Sequence, residues 1–529
     1  MKASMTTNLE ERARLVSLFA FERIARALFG GLALIWCIAS LWFPFGWDQG
    51  IMASVGSAIV RGGMPYRDAW EVKGPLAYYI FAAAEAVLGA HMWSIRVFDV
   101  LLLLVACAAL ARMVGRLTSP VTGVWIAIAF VFWYASLSWF FVSQPDGWVA
   151  LIMILAIEPL VGKSERAGFG VLAWCALMTG CCALIKPFYA AFALVPASFV
   201  VFAPEPRSRK AIAIAFIGAM TMLPVVLTLA WFAYRGAWAS WMEVQFVYIP
   251  AYADGSLLQL GVLARKVFRY LWIDRTASPT GSVAVVLPAI GYAVYILWRE
   301  SRQVAAMMAA WLGVALFCLA IQGKFFVYQW IPTFPPFAVL SGVGLWRIAN
   351  STTDRASSGF ALAIVSAALF FSQTVVKPGV DVLRWLQLMT GATNSPAYYQ
   401  RYVAWRYVAG DNMAAANYIR ERTRDSDNVA VFGNDATINF LSGRANPTRF
   451  LMGMPLTSSG VDELRAAYRQ EYMAGLRMQP PIYFVVGQPY DTADKAAVLR
   501  QFPELQDFLQ VRYSLESQIG FLDLYRLRE

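Results

Sequence analysis

The sequence predicts a polytopic α-helical membrane protein that carries a C-terminal soluble α/β domain. Three observations predict it. The chain is 59% hydrophobic and only 15% charged, against about 25% charged in an ordinary soluble domain. Its mean hydropathy is +0.53, and its apolar runs recur at about 15–20 residues, the length of a helix that crosses a bilayer. After about residue 373 the hydropathy drops, charges rise and no spanning run follows.

The expected spans are 27–44, 94–111, 121–140, 147–161, 168–185, 188–203, 211–231, 282–298, 304–321, 328–346 and 358–372, about eleven transmembrane helices in all. The first follows a basic start (Lys2, Arg12, Arg14, Arg23, Arg26) and runs into Trp42-Phe43-Pro44-Phe45. No small-residue cleavage site follows, so an uncleaved span is expected. The stretch 76–90 opens with Gly74-Pro75, contains Glu85 and is short for a span, so it is expected to lie along the surface. Topology supports that choice. With the N-terminus in the cytoplasm and 76–90 uncounted, the short inside loops hold Arg112/Arg116, Lys163/Arg166, Arg207/Arg209/Lys210, Arg299/Arg302 and Arg347/Arg355. Each is basic, as the positive-inside rule requires. The expected division is a cytoplasmic segment 1–26, a transmembrane region 27–372 with a first outer loop 45–93, and an outer α/β domain 373–529. In the last, Val429–Gly433, Ile482–Gly487 and Phe521–Tyr525 are expected strands, and 408–424 a helix.

Composition excludes several chemistries. The net charge of +11 sits in short clusters between apolar runs rather than on one continuous face, which argues against nucleic-acid binding. All six cysteines (Cys37, Cys107, Cys175, Cys181, Cys182, Cys318) fall in apolar runs without CxxC spacing, so neither a disulfide framework nor a thiolate zinc site is expected. One histidine, His91, leaves no room for a histidine metal cluster or a Ser-His-Asp triad.

The ionisable residues at span ends are therefore the candidates. Asp48, Lys73, Asp146, Lys186 and Lys324 all fall on the outer side in this topology. Charges facing a bundle interior are costly to keep and default to function. Simpler readings stand beside this one. Asp48 opens a helix expected over 49–60 and suits an N-cap; Asp68 suits a turn; a lysine before a break can snorkel to headgroups. Taken together, a carboxylate can act as general base on a hydroxyl, and lysines can neutralise a phosphate in a low-dielectric pocket.

The first outer loop supplies the reaction by resemblance. Asp48-Gln49-Gly50, Gly62-Gly63-Met64-Pro65-Tyr66-Arg67-Asp68, Lys73-Gly74-Pro75, Leu88-Gly89 and Ile95-Arg96 resemble the signature of the GT-C glycosyltransferases. The likeness is to the branch of protein O-mannosyltransferases and the lipid A aminoarabinose transferase. Leu184-Ile185-Lys186-Pro187, Gly323-Lys324 through Tyr328 to Pro332, and Gly433-Asn434-Asp435 with Leu441 to Arg444 continue it. One departure is that Glu71-Val72 precedes the lysine, where the family pattern has the acid directly before it.

The resemblance implies transfer of a sugar, with inversion, from a polyprenyl-phosphate donor to a glycan, lipid or protein acceptor at the periplasmic face of a bacterial inner membrane. It implies Asp48 as base and Lys73 and Lys186 as donor-phosphate ligands. Arg96, Lys324 and Tyr328 are further pocket candidates, and Asp68 and Asp146 are substrate-binding candidates. No cofactor is fixed by it, although Asp48 with Asp146 could hold a divalent cation. Two other classes stand beside this one. A transporter or flippase of lipid-linked sugars would show repeated halves and polar breaks at mid-membrane. A non-catalytic envelope assembly protein would depend on residues 373–529 rather than on Asp48 and Lys73.

Overall fold

The computed structural model describes residues 2–162, 166–252, 265, 283–351, 374–458, 461–487 and 495–528, with side chains from residue 20 onward except at 283–286, 351 and 498. The span expected at 358–372 and the inside-loop residues Lys163 and Arg355 lie outside these residues.

The first part is helical. Its helices are α1 (Lys2–Ser40), α2 (Trp47–Val60), α3 (Pro75–Leu88), α4 (Met92–Leu117), α5 (Pro120–Ala135), α6 (Pro145–Ile157), α7 (Phe169–Ile185) and α8 (Leu194–Val201). After these come α9 (Arg207–Tyr234), α10 (Val283–Glu300), α11 (Arg302–Ile321) and α12 (Phe334–Ser351). Among the described residues, four helices are long and apolar enough to cross a membrane: Ala20–Ser40 within α1, α4, α9 and α11. The clearest is α9. Ala213, Ile217, Thr221 and Phe232 are its buried residues, while Ile212, Met222, Leu223, Val226, Leu227 and Trp231 are exposed. A helix that is apolar on nearly every side and buried on one stripe needs an apolar solvent around it.

Other expected spans break, and they break beside the candidate residues. The 147–161 run is α-helical from Pro145 to Ile157 and ends in a 3₁₀ turn, Glu158–Leu160. The 188–203 run starts as a 3₁₀ segment, Pro187–Ala193, before α8, and the 328–346 run as a second one, Val327–Thr333, before α12. Lys186 is extended at φ −150° and ψ 130°. The cause is local. A residue before proline is pushed out of the helical region, and proline, lacking an N–H, opens a new helix rather than continuing one. The stretch expected at 76–90 is the fourteen-residue α3, about 21 Å long at 1.5 Å per residue. It packs on α2, α4 and α7.

The second part begins with α13 (Val376–Met389), which packs against α1. A small hairpin follows, β1 (Val403–Ala404) paired with β2 (Tyr407–Val408). Then come α14 (Ala409–Arg422), β3 (Val429–Phe432), α15 (Thr437–Ser442), α16 (Asp462–Met478), β4 (Tyr483–Val486), α17 (Pro503–Arg512), β5 (Tyr513–Ile519) and β6 (Leu522–Leu527). The sheet order is β3-β4-β6-β5, with β3 and β4 parallel and the other pairs antiparallel. Val431 pairs with Val485, and Val485 with Leu524. These residues form a core with Ala415, Ala416 and Ile419 of α14. The expected strands and the 408–424 helix are present. The strand β5 is extra, because Tyr-Ser-Leu-Glu-Ser-Gln-Ile carries too few apolar residues to announce itself.

Candidate active site

The loop between α2 and α3 places the first group of charges. Gly46, not Asp48, occupies the N-cap of α2, and the Gln49 side chain returns to accept from the Gly46 N–H at 3.1 Å. Gln49 also donates to the carbonyls of Phe140 and Val142. Asp48 is thus released from capping and sits in the first turn. Its carboxylate lies 3.5 Å from the Lys73 ammonium and stays 28% exposed.

Lys73 is held from several sides. Its ammonium lies 3.0 Å from Glu71, and Glu71 also accepts from the Lys73 N–H at 2.7 Å and from Tyr78 at 2.5 Å. Glu71 is only 2% exposed. The Lys73 carbonyl accepts from Tyr66 at 2.6 Å, Tyr78 at 2.8 Å and Gln245 at 3.4 Å. Burial works against the Lys73 charge, yet Asp48 and Glu71 hold its pKa above the ordinary lysine value. An isolated buried ammonium would lose its proton; two carboxylates beside it keep it charged.

The second group lies beside the first. The Gly74 N–H donates to the Ile185 carbonyl at 2.8 Å. A side chain at position 74 would collide with the carbonyl oxygens of Leu184 and Ile185. One backbone hydrogen bond thus joins the residue after Lys73 to the residue before Lys186, at a spacing that glycine alone permits. Lys186 contacts both Asp146 oxygens at 2.8 Å and Gln322 at 2.6 Å. An ammonium has three donors, so those of Lys186 are all committed. Tyr189 donates to Asp146 at 2.5 Å, and Asp146 is fully buried in the first turn of α6. The Lys186 ammonium also lies 5.7 Å from the Tyr328 ring centroid.

The other candidates separate. Asp68 accepts from the Met64 N–H at 2.7 Å and from Arg67 at 2.6 Å, so it closes its own turn. Partial burial would raise its pKa, but Arg67 and that N–H outweigh it and leave the carboxyl below its usual value. Arg96 is 1% exposed and donates to the carbonyls of Pro44, Trp139 and Val142 and to Ser143. It ties the start of the first loop to the segment before Asp146. Lys324 lies over the Tyr252 ring at 4.5 Å.

Sequence reasoning assigned no role to Glu71, Tyr66, Tyr78, Tyr189, Gln245 or Gln322. Only Glu71 carried a signal, an acid two residues from a lysine. The tyrosines and glutamines are indistinguishable from packing residues until the chain folds. Asp99, one turn after Arg96, was also missed. It accepts from Tyr134 and Trp148 inside α4, and a carboxylate within an apolar run is a signal that can be sought directly.

Among the described residues, no group of three or more His, Cys, Asp or Glu side chains is placed to hold a metal. The two acids that the resemblance offers for a cation, Asp48 and Asp146, each face a lysine instead.

The α/β region closes over the first loop. The Trp70 N–H donates to the Arg449 carbonyl at 2.7 Å, Arg449 donates to the Tyr66 carbonyl at 3.1 Å, and Tyr407 donates to the Phe45 carbonyl at 3.0 Å. Ser54 of α2 donates to the Ala436 carbonyl at 2.9 Å.

Comparison of the sequence with family models and with curated proteins finds no match. Solved structures do match. ArnT from Cupriavidus metallidurans bound to undecaprenyl phosphate aligns with TM-score 0.58 and 14% identity over 94% of this chain and 97% of that one. The same protein in the apo state aligns with TM-score 0.57 at 14% identity and the same coverage. The oligosaccharyltransferase AglB from Archaeoglobus fulgidus, in complex with an inhibitory peptide and a dolichol-phosphate, is more distant. It has TM-score 0.47 and 12% identity over 95% of this chain and 74% of that one. At such identities the likeness to ArnT is one of fold. The resemblance to the GT-C glycosyltransferases drawn from the first loop is met at that level, and the chain has the fold of the ArnT structures along nearly its whole length.

Proposed function

We propose that the chain is a membrane-embedded glycosyltransferase that moves a sugar from a polyprenyl-phosphate donor to an acceptor. The observation that carries this reading is the meeting of Lys73 and Lys186. They are far apart in sequence, joined through Gly74 and Ile185, and Asp48 lies 3.5 Å from Lys73. A lone ion pair would be structural. Two lysines and an accessible carboxylate beside one another suit a phosphate leaving group and a proton acceptor. The ArnT structure that shares this fold binds undecaprenyl phosphate, a donor carrier of the kind these charges fit.

In this reaction the acceptor hydroxyl gives its proton to Asp48 as its oxygen attacks the anomeric carbon. The bond from that carbon to the phosphate oxygen breaks, and the polyprenyl phosphate leaves with the electron pair. A single displacement inverts the anomeric centre. Lys73, already the partner of Asp48, turns toward the departing phosphate. Lys186 exchanges Gln322 for a phosphate oxygen while retaining Asp146. Tyr328 flanks Lys186. The reading places about eleven spans in a bacterial inner membrane, the N-terminus in the cytoplasm, and residues 373–529 outside, over the site.

The test uses the full chain in lipid nanodiscs with a panel of radiolabelled undecaprenyl-phosphate sugars. Asp48→Asn is expected to lower transfer by about 10²–10⁴-fold while folding as the wild type does. Turnover near wild type in that variant removes Asp48 as the base. Mass spectrometry of envelope glycoconjugates with and without the protein identifies the sugar and the acceptor.

A further inference from the structure

The turn of the small hairpin holds a tryptophan where the backbone asks for glycine. Strands β1 and β2 are joined by the two residues Trp405-Arg406. Trp405 has φ +54°. A two-residue hairpin connection with positive φ at its first position favours glycine there, and a bulky side chain is strained in that region. Places where a chain keeps a locally disfavoured residue are where function is sought.

Trp405 is also 70% exposed. It is nonetheless fixed. Its ring stacks on Trp47 with centroids 5.5 Å apart and planes at 10°. The edges of Phe140 and Phe141 meet it at 5.3 and 6.3 Å. The hairpin is anchored by Tyr407, which is buried, touches Trp47 and donates to the Phe45 carbonyl. One face of the indole is therefore covered and the rest is presented. Its N–H has no hydrogen-bond partner among the described residues.

The neighbourhood decides what would lie on that surface. Trp47 immediately precedes Asp48, so platform and acid share the first turn of α2. On the far side Phe141 contacts the Tyr328 ring at 6.2 Å, and Lys186 lies against Tyr328. A flat apolar surface whose backing ring, Trp47, sits in the same helical turn as a carboxylate suits a ligand with a C–H face and a hydroxyl rim. A pyranose ring has both, and an alkyl chain has only the first.

We infer that Trp405, backed by Trp47, is a carbohydrate-stacking platform that binds a pyranose of the acceptor and directs a hydroxyl toward Asp48. The ligand is thus a glycan acceptor rather than a protein or a simple lipid. The word acceptor rests on the transfer reaction proposed above; the platform itself does not.

The test is saturation-transfer difference NMR on the full chain in lipid nanodiscs, with the methyl α- and β-pyranosides of glucose, mannose and galactose as probes. Saturation is expected on the ring C–H protons of at least one probe. It should fall roughly tenfold in Trp405→Gly, about the effect of losing one aromatic contact, and only in part in Trp405→Phe. Glycine is at home at φ +54°, so Trp405→Gly should melt at the wild-type temperature or above it, which a merely structural tryptophan would not do. An unchanged glycoside signal in Trp405→Gly overturns the platform. So does the absence of any glycoside signal together with quenching by brominated lipids that Trp405→Phe abolishes, because the pair is then a bilayer anchor. The glycoside signal is expected to persist in Asp48→Asn, so failure of the base and failure of the platform are read separately.

Discussion

Lys73 and Lys186 are neighbours of one residue type, and the chain treats them differently. Lys186 meets both oxygens of one carboxylate at 2.8 Å and a glutamine at 2.6 Å. Lys73 stands between two carboxylates, Glu71 at 3.0 Å and Asp48 at 3.5 Å. The acids differ too. Asp146 is fully buried, whereas the Asp48 side chain is 28% exposed. The difference separates two roles that sequence reasoning could not. Asp146 is a fixed counter-ion that holds Lys186 and Tyr189. Asp48 is the acid that stays accessible, as the proposed base must be. In the proposed reaction Glu71 would keep Lys73 anchored and charged while Asp48 takes the proton.

The largest expected effect would break the comparison if it failed. Asp146→Asn removes the buried negative charge, and one of the two acceptor oxygens, that Lys186 and Tyr189 share. It should cost about 3–5 kcal/mol of stability, the usual penalty for removing one partner of a buried ion pair. Asp48→Asn, with its partly exposed pair, should cost no more than about 1 kcal/mol. Denaturant melts of both variants in one detergent decide it, and equal losses would mean that the two acids play one role. Adding Lys186→Met to Asp146→Asn should recover much of the loss.

A smaller effect sharpens how the two lysines are joined. Gly74→Ala drives a methyl into the Leu184 and Ile185 carbonyl oxygens. Overpacking of this kind costs about 1–3 kcal/mol. The KM for undecaprenyl-phosphate sugar should rise more than kcat falls, because the lysines are pushed apart while Asp48 remains. A donor KM equal to wild type would mean that the Gly74 bond does not set the phosphate site.

The smallest concerns a third acid. Burial lifts Asp381 of α13 to about 7, against the pull of Trp36, Arg384 and Lys377. A carboxyl whose folded pKa exceeds its unfolded value binds its proton more tightly in the fold. It therefore lowers stability as pH rises from about 4 to 7. Asp381→Asn should flatten that slope and raise the melting temperature at pH 8. Thermal melts at pH 5 and pH 8 check the sign, and an unaltered slope places the titrating group elsewhere.

The apolar runs announced the helices, and the tail strands were legible from Val429–Phe432 and Tyr483–Val486. The continuity of the spans was not. Pro145 and Pro187 lie between expected spans, but hydropathy averages over the 3₁₀ segments Pro187–Ala193 and Val327–Thr333, so both read as helix. Asp48, Lys73 and Lys186 could be named from the sequence because charges next to apolar runs stand out. Their partners could not. Tyr66, Tyr78 and Gln245 converge on the Lys73 carbonyl only after the 66–78 segment folds on itself and meets the distant Gln245, and no periodicity encodes that meeting. Trp405 is a different case. Its signal was a forbidden residue in a turn, and the turn had to be seen first.

The bonds from Trp70 to Arg449 and from Phe45 to Tyr407 set a constraint on biosynthesis. A chain made from its N-terminus forms the first loop long before residues 407 and 449 leave the ribosome. Those residues supply the backbone partners that fix the loop's course, so the loop must wait in an unfinished state through most of translation. A nascent or prematurely terminated copy would lack the partners that Arg449 and Tyr407 supply to the first loop.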